Sequence, residues 1–147
     1  MQNLAIKTPI DRIFDEGVAL TLEARNYIAF HQPSGSKGFD NYHTRVSARL
    51  IQIMTWLLTI RAVSNGEITQ EQFRMPAFAL GGGPECTDES GHDIKEIPQG
   101  LRSLLKRTYI LYMRVLRLDE QVHGQPVYET DQTKLIRMGI TVLRRTS

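Results

Sequence analysis

RVSARLIQIMTWLLTIRAV, residues 45–63, is the stretch whose reading decides the fold. Val46, Leu50, Ile53, Leu57 and Ile60 recur at alternating spacings of four and three, a helix period rather than a strand period. On a helical wheel these five make one narrow stripe. Ile51, Met54 and Leu58 widen it on one side, and Trp56 and Val63 add apolar area on the other. Arg45, Arg49, Gln52, Thr55 and Thr59 keep to the remaining arc. An apolar arc of roughly 180° is more than one neighbouring helix can cover. The stretch therefore predicts a central helix that touches two others or a second subunit. Its start is expected after Asp40 or Asn41, either of which suits an N-cap. Its end is expected at Ser64-Asn65-Gly66, where Asn or Gly can take the left-handed C-terminal conformation.

Two further amphipathic stretches flank it. Thr8-Pro9 opens a first helix, because Thr caps and Pro lacks only an N–H that the first turn leaves unused. Ile10, Ile13, Phe14, Leu20, Ala24, Tyr27 and Ile28 follow at helix spacing, with Gly17 on the same face, until Pro33 and a turn-rich connector over residues 33–38. After Gly66, the Thr69 and Gln72 pair has capping-box spacing and predicts a short helix ending before Pro76. Residues 77–97 hold Gly81-Gly82-Gly83-Pro84 and five acids, Glu85, Asp88, Glu89, Asp93 and Glu96, against Lys95. That composition reads as an exposed, mobile loop. Pro98 then starts a third long helix with the core face Leu101, Leu104, Leu105, Thr108, Leu111, Tyr112, Val115, Leu118 and Val122, closed by Gly124 and Pro126.

The expected architecture is all-α: an antiparallel three-helix bundle with a short extra helix after the second long helix and an irregular loop before the third. One domain is expected over residues 1–126, followed by a C-terminal extension over residues 127–147. In the extension, Leu135, Ile136, Met138, Ile140, Val142 and Leu143 suit a short helix or a docked tail, while Ile140-Thr141-Val142-Leu143 is also β-rich.

The 147 residues suit one domain, with 23% charged and 41% apolar residues and a net charge of +2. The lone cysteine, Cys86, cannot form an intrachain disulfide, and the N-terminus lacks the basic and apolar regions of a signal peptide. The most apolar run, residues 50–60, is about half the ~20 residues a membrane crossing needs. These features predict a cytoplasmic protein without a membrane span.

No chemistry emerges from spacing. Cys86, Asp88, His92 and Asp93 are possible metal ligands, but structural zinc sites use paired Cys or His ligands, and here one cysteine shares a Gly-rich loop with the rest. Gly81-Gly82-Gly83 lacks the Lys and Ser/Thr of a phosphate loop. His31, His43, His92 and His123 lie near element ends and complete no nucleophile–base set. No enzyme, cofactor or metal is expected. The third helix instead carries Arg102, Lys106, Arg107, Arg114 and Arg117 opposite its core face, with no acid from 101 to 118. Such a face binds phosphates or acidic protein, or is simply solvated. Ile110 and Met113 lie among these cations and point to a surface that meets another chain. A symmetric homodimer would cover it, as would Leu4 and Ile6 or the apolar residues of the C-terminal extension.

Two stretches resemble a known family. Met54-Thr55-Trp56-Leu57-Leu58, Arg61-Ala62-Val63 and Gly66-Glu67-Ile68-Thr69 are similar to the pattern SWLL-x-x-RA followed by EGE-M/I-T. Ile97-Pro98, Leu101, Leu104, Thr108 and Leu111-Tyr112-x-Arg114-Val115-x-Arg117-Leu118-Asp119 resemble LP-x-x-L-x-x-L-x-x-S-x-x-LY-x-RV-x-RLD. Both patterns belong to the DUF1465 family, and the resemblance spans about residues 9–123. It implies a helical bundle that tends to dimerise and a protein adaptor rather than an enzyme. In the family's known role the adaptor helps deliver cell-cycle regulators to the ClpX–ClpP unfoldase–protease. It works there with a response-regulator-like adaptor and a cyclic-di-GMP-binding partner protein, and has no catalytic residues. On this reading Trp56, Leu57, Arg61, Gly66, Tyr112, Val115 and Asp119 are packing and helix-end residues. Asp119 falls on the core-facing arc and needs a partner, for which an Arg is expected. Arg102, Lys106, Arg107, Ile110, Met113, Arg114 and Arg117 are the candidate partner-binding residues. The alternative is a nucleic-acid-associated helical protein, whose binding would weaken steeply with salt.

Overall fold

In the computed structural model, residues 8–30 and 40–124 are described. The order is α1 (Pro9–Phe30), α2 (Asp40–Ser64), α3 (Gln70–Phe73), a 3-10 turn (Pro76–Phe78), α4 (Gly83–Thr87) and α5 (Gln99–His123). No strand occurs among the described residues. The described residues form an all-α bundle built on three long helices. The connector over residues 33–38, Leu4, Ile6 and the extension over residues 127–147 lie outside the described residues.

The predicted caps account for most boundaries. The Asp11 N–H donates to Thr8 Oγ1 and the Thr8 N–H to Asp11 Oδ2, both at 3.1 Å, closing the first turn of α1 reciprocally. The Thr69 and Gln72 capping box is formed at the start of α3. Gly66 takes φ +77° and its N–H donates to Val63 O, while the Glu67 N–H reaches back to Ala62 O. Of the two candidates at the end of α2, Gly is thus the left-handed residue, because it lacks the Cβ that opposes this conformation. At the other end, α2 already includes Asp40, so the helix does not begin after Asp40 or Asn41 as expected.

α2 is central, packing against both α1 and α5. Val46, Leu50, Ile53, Trp56, Leu57, Ile60 and Val63 are buried, as are Ile10, Ile13, Leu20 and Ala24 from α1 and Leu101, Leu104, Leu105, Leu111, Tyr112 and Val115 from α5. A Cβ placed on Gly17 would sit 2.7 Å from Met54 Sδ, so α1 and α2 come together there at glycine distance. By length and composition α2 could cross a membrane. Here it is the core helix of a bundle, carrying two buried arginines. The wide apolar arc is only partly covered: Ile51 is 62% exposed and Leu58 55% exposed.

Chain direction departs from a simple antiparallel bundle. α1 runs antiparallel to α2, since Gly17 meets Met54 and the Arg61 guanidinium lies 4.2 Å over the Phe14 ring. It also runs antiparallel to α5, where Glu23 meets Arg107 and Glu16 meets Arg114. α2 and α5 run the same way, because Arg49 bonds to Leu105 and Thr108 while Trp56 bonds to Asp119. Two consecutive parallel helices need a connection that returns the length of the bundle, about 35 Å for helices of this size.

Residues 74–98 make that return as a strap along α2 and α5. The sequence reads this segment as an exposed, mobile loop, but the structure anchors it at every stage. Leu80 N–H donates to Asp119 Oδ1 at 2.9 Å, Gly81 N–H to Gln52 Oε1 at 3.1 Å, and Tyr112 O–H to Gly81 O at 2.7 Å. Cys86, Gly91 and Ile97 are buried. The reason is a stripe on α2 that composition does not reveal. Arg45, Arg49, Gln52 and Trp56 are spaced four, three and four apart, so they share one face, and it faces the strap rather than solvent.

Arg49 is fully buried, at 0% exposure. Its Nε donates to Cys86 O at 2.9 Å, one terminal nitrogen to Asp88 O at 2.6 Å, and the other to Leu105 O at 2.7 Å and Thr108 Oγ1 at 3.3 Å. The planar fork of guanidinium suits carbonyls arriving from three directions, which a lysine cannot match. Burial, helped by the neighbouring Arg45 charge, lowers its pKa to about 10, so it remains a cation at neutral pH. Arg45 binds Ser90 O at 2.5 Å, Ser90 Oγ at 3.1 Å and Asp88 Oδ2 at 3.0 Å.

Two predictions follow from these contacts. Arg49→Met keeps the volume but takes the guanidinium donors from three carbonyls, those of Cys86 and Leu105 in buried bonds and that of Asp88 in a partly buried one. It is expected to lower unfolding stability by about 3 kcal/mol, read from the urea midpoint. The second concerns acid. His92, in the strap, has its pKa lowered by burial first and then by the Arg49 charge. The unfolded chain therefore binds a proton that the fold resists, so stability declines as pH falls below about 6.5. The Asp88 carboxyl is held low by hydrogen bonds from Ser90. Its contribution is present above the ordinary Asp range and lost as pH falls through the lowered value. His92→Gln should flatten the wild-type stability slope between pH 7 and pH 5 while leaving the Asp88 part at lower pH.

Candidate partner-binding surface

The outer arc of α5 carries all seven partner-binding candidates, and the structure divides them. Arg107 turns toward α1, where its two terminal nitrogens bind the Glu23 carboxylate at 2.7 and 2.5 Å and its Nε donates to Ser103 Oγ at 3.0 Å. Arg114 does the same with Glu16 at 2.8 Å. These two arginines belong to the α1–α5 seam. The Arg107 hydrogen bonds hold Glu23 below the usual Glu range, and Glu23 in turn raises the Arg107 pKa. Both pairs are half-exposed, so they set helix register more than they stabilise the fold.

Arg102 is partly buried, with its Nε unpartnered among the described residues. Met113 packs its side against the core and is only partly exposed. Lys106 lies 3.8 Å from Asp93 of the strap, where the acidic segment reaches the basic face. What remains outward is Lys106, Ile110 and Arg117, with Met113 at their edge. Ile110 is 57% exposed between the two cations.

Beneath this arc the family-motif residues form the lower core. Leu57 and Val115 are fully buried. Asp119 accepts from Trp56 Nε1 and from the Leu80 N–H, both at 2.9 Å. The expectation of an arginine partner for Asp119 is therefore wrong. An indole N–H and a backbone N–H satisfy the carboxylate, and they tie α2, the strap and α5 at one oxygen. His123 Nε2 lies 3.6 Å away, with its ring edge-on to Phe73 at 5.2 Å, and Phe73 lies 5.8 Å from Trp56. Arg61 lies over the Phe14 ring. Cys86 faces inward beside Arg49, and burial pushes its thiol up, so it is a packing residue rather than a loop ligand.

Sequence reasoning missed Arg45 and Arg49. One signal was available: two arginines in the most apolar helix with no acid three or four residues away, so their partners had to be non-local. Their acceptors are mostly backbone carbonyls, which no side-chain pattern marks.

The family model described as "Protein of unknown function (DUF1465)" matches residues 1–146. No curated protein matches the chain. Among solved structures, the chain is similar to the crystal structure of RcdA from Caulobacter crescentus CB15, with a TM-score of 0.62 and 29% identity. That alignment covers 86% of this chain and 100% of the other. The Trp56–Asp119 pair and the Tyr112 anchor thus join two motifs of one family signature in a single packed core, and the chain belongs to the DUF1465 family.

Proposed function

We propose that this protein is a non-enzymatic, protein-binding adaptor acting in the cytoplasm, with the outer face of α5 as its partner surface. The observation that carries the reading is the likeness to RcdA over the whole of that chain. It is supported by the exposed Ile110 set between Lys106 and Arg117. An apolar anchor ringed by cations suits an acidic protein surface, because the anchor supplies desolvation and the charges supply orientation. On the family's role, the partners are a response-regulator-like adaptor and the ClpX unfoldase, and the outcome is faster degradation of cell-cycle regulators. The nucleic-acid alternative is weakened by the α1 acids. Arg107 and Arg114 already face Glu23 and Glu16, which leaves a short cationic patch rather than a continuous stripe.

The test is reconstituted degradation of a cell-cycle regulator by ClpX–ClpP, together with direct binding to the response-regulator-like adaptor by fluorescence anisotropy. Wild-type protein should accelerate degradation. Ile110→Glu with Arg117→Glu should weaken binding about tenfold or more without changing the melting temperature. Binding only to nucleic acid, lost steeply with salt and indifferent to Ile110, would overturn the proposal in favour of the alternative.

A further inference from the structure

The outer face of α2 lies between two acidic neighbours. Ile51, Thr55 and Leu58 are exposed along it. α1 borders one side, through the Gly17–Met54 and Phe14–Arg61 contacts, and brings its exposed Val18 and Leu22 alongside. The strap borders the other side, fastened to Arg45, Arg49 and Gln52. α1 holds Asp11, Asp15, Glu16 and Glu23 against Arg12 and Arg25. The strap holds Glu85, Asp88, Glu89, Asp93 and Glu96 against Arg74 and Lys95. An apolar strip between two net-acidic rims suits a narrow occupant with an apolar face and basic edges.

The chain carries such a segment in its own sequence, over residues 134–145, outside the described residues. Leu135, Ile136, Met138, Ile140, Val142 and Leu143 fall within about 200° of a helical wheel. The remaining arc holds Lys134, Arg137, Thr141, Arg144 and Arg145, and no acid occurs over residues 132–147. At strand period Leu135 and Leu143 fall on one side with Arg137 and Thr141, so the helix period separates the two classes more cleanly.

We propose that residues 134–145 dock as a helix across the outer face of α2, between α1 and the strap, as a cover supplied by the chain itself. The topology gives the reach. Because α2 and α5 run the same way, α5 ends at His123 beside the C-terminal end of α2, the end nearer Leu58. The linking residues 124–133 extend to about 33 Å, whereas packed helix axes lie about 10 Å apart. A helix over residues 134–145 is about 18 Å long, enough to cover the rise of about 10 Å from Leu58 to Ile51. Charge selects this face over the other. The outer face of α5 presents Lys106 and Arg117 around Ile110 and repels a cationic segment, while the rims beside α2 attract it. Docking here leaves the α5 surface open, so the inference does not rest on the adaptor reading. A partner that uses the α2 face must first displace the segment.

The experiment is hydrogen exchange by mass spectrometry on the full chain at low salt, with thermal melting by circular dichroism as the folding control. In wild type, the amides of residues 135–143 should exchange at least about tenfold more slowly than those of an unfolded chain. Ile140→Asp with Leu143→Asp leaves the described bundle untouched and should remove that protection. Ile51→Asp with Leu58→Asp, on exposed positions, should remove it equally. Arg137→Glu with Arg144→Glu should weaken it, as should added salt. A photocrosslinking benzoylphenylalanine in place of Leu58 should join residues 134–145 of the same chain. A mixture of unlabelled and heavy-nitrogen protein then yields no mixed product, and the same group in place of Ile110 should not reach the segment. Unprotected amides in wild type, protection indifferent to Ile51 and Leu58, crosslinks that join a second copy, or crosslinks from position 110 would each overturn the inference.

Discussion

One buried guanidinium holds the topology together. α2 and α5 lie parallel, which obliges the chain between them to travel back along the bundle, and Arg49 is the point where that chain is fastened. Its donors reach carbonyls from the strap and from α5 at once. Among the described residues its hydrogen bonds go to three carbonyls and the Thr108 hydroxyl. Carbonyl dipoles and the Tyr109 ring, 5.3 Å from the guanidinium carbon, stabilise it. A cation held by backbone carbonyls depends on the path of the chain and not on the identity of neighbouring side chains. The strap can therefore carry an exposed acidic surface while its inner edge stays fixed.

The same logic recurs at the other end of the bundle, where Asp119 is the acceptor and the strap is the donor. Arg49 and Asp119 bracket the strap with opposite charges, each satisfied mainly by groups from other elements. Between them, Gln52 and Tyr112 bind the two sides of Gly81. The glycines there permit the approach: a Cβ on Gly82 would fall 2.5 Å from Cys86 Sγ and 3.1 Å from Tyr112 Oη, and its φ of +112° would strain any other residue. A segment that reads as a breaker cluster is thus a close-packed crossing.

The two sides of the bundle differ in character. On the α5 side, α1 acids draw two arginines into the seam and leave Ile110 prominent among fewer cations. On the α1–α2 side, Ile51 and Leu58 of the central helix are exposed, and Arg61, itself exposed, lies over the Phe14 ring.

The sequence by itself determined the elements. Helix-period apolar spacing gave three long helices, Thr8, Thr69 and Gly66 set their limits, and the motifs around Trp56 and Tyr112 pointed to the family. These were legible because capping and amphipathic spacing are local. The tertiary structure alone decided the parallel sense of α2 and α5, the burial of Arg45 and Arg49, the partners of Asp119, and the division of the basic face between seam and surface. Each of these depends on contacts between residues tens of positions apart. Many run through backbone carbonyls and amides, which every residue possesses and no residue type announces. An arginine on a helical wheel looks like a solvent residue until the fold brings three carbonyls to meet it.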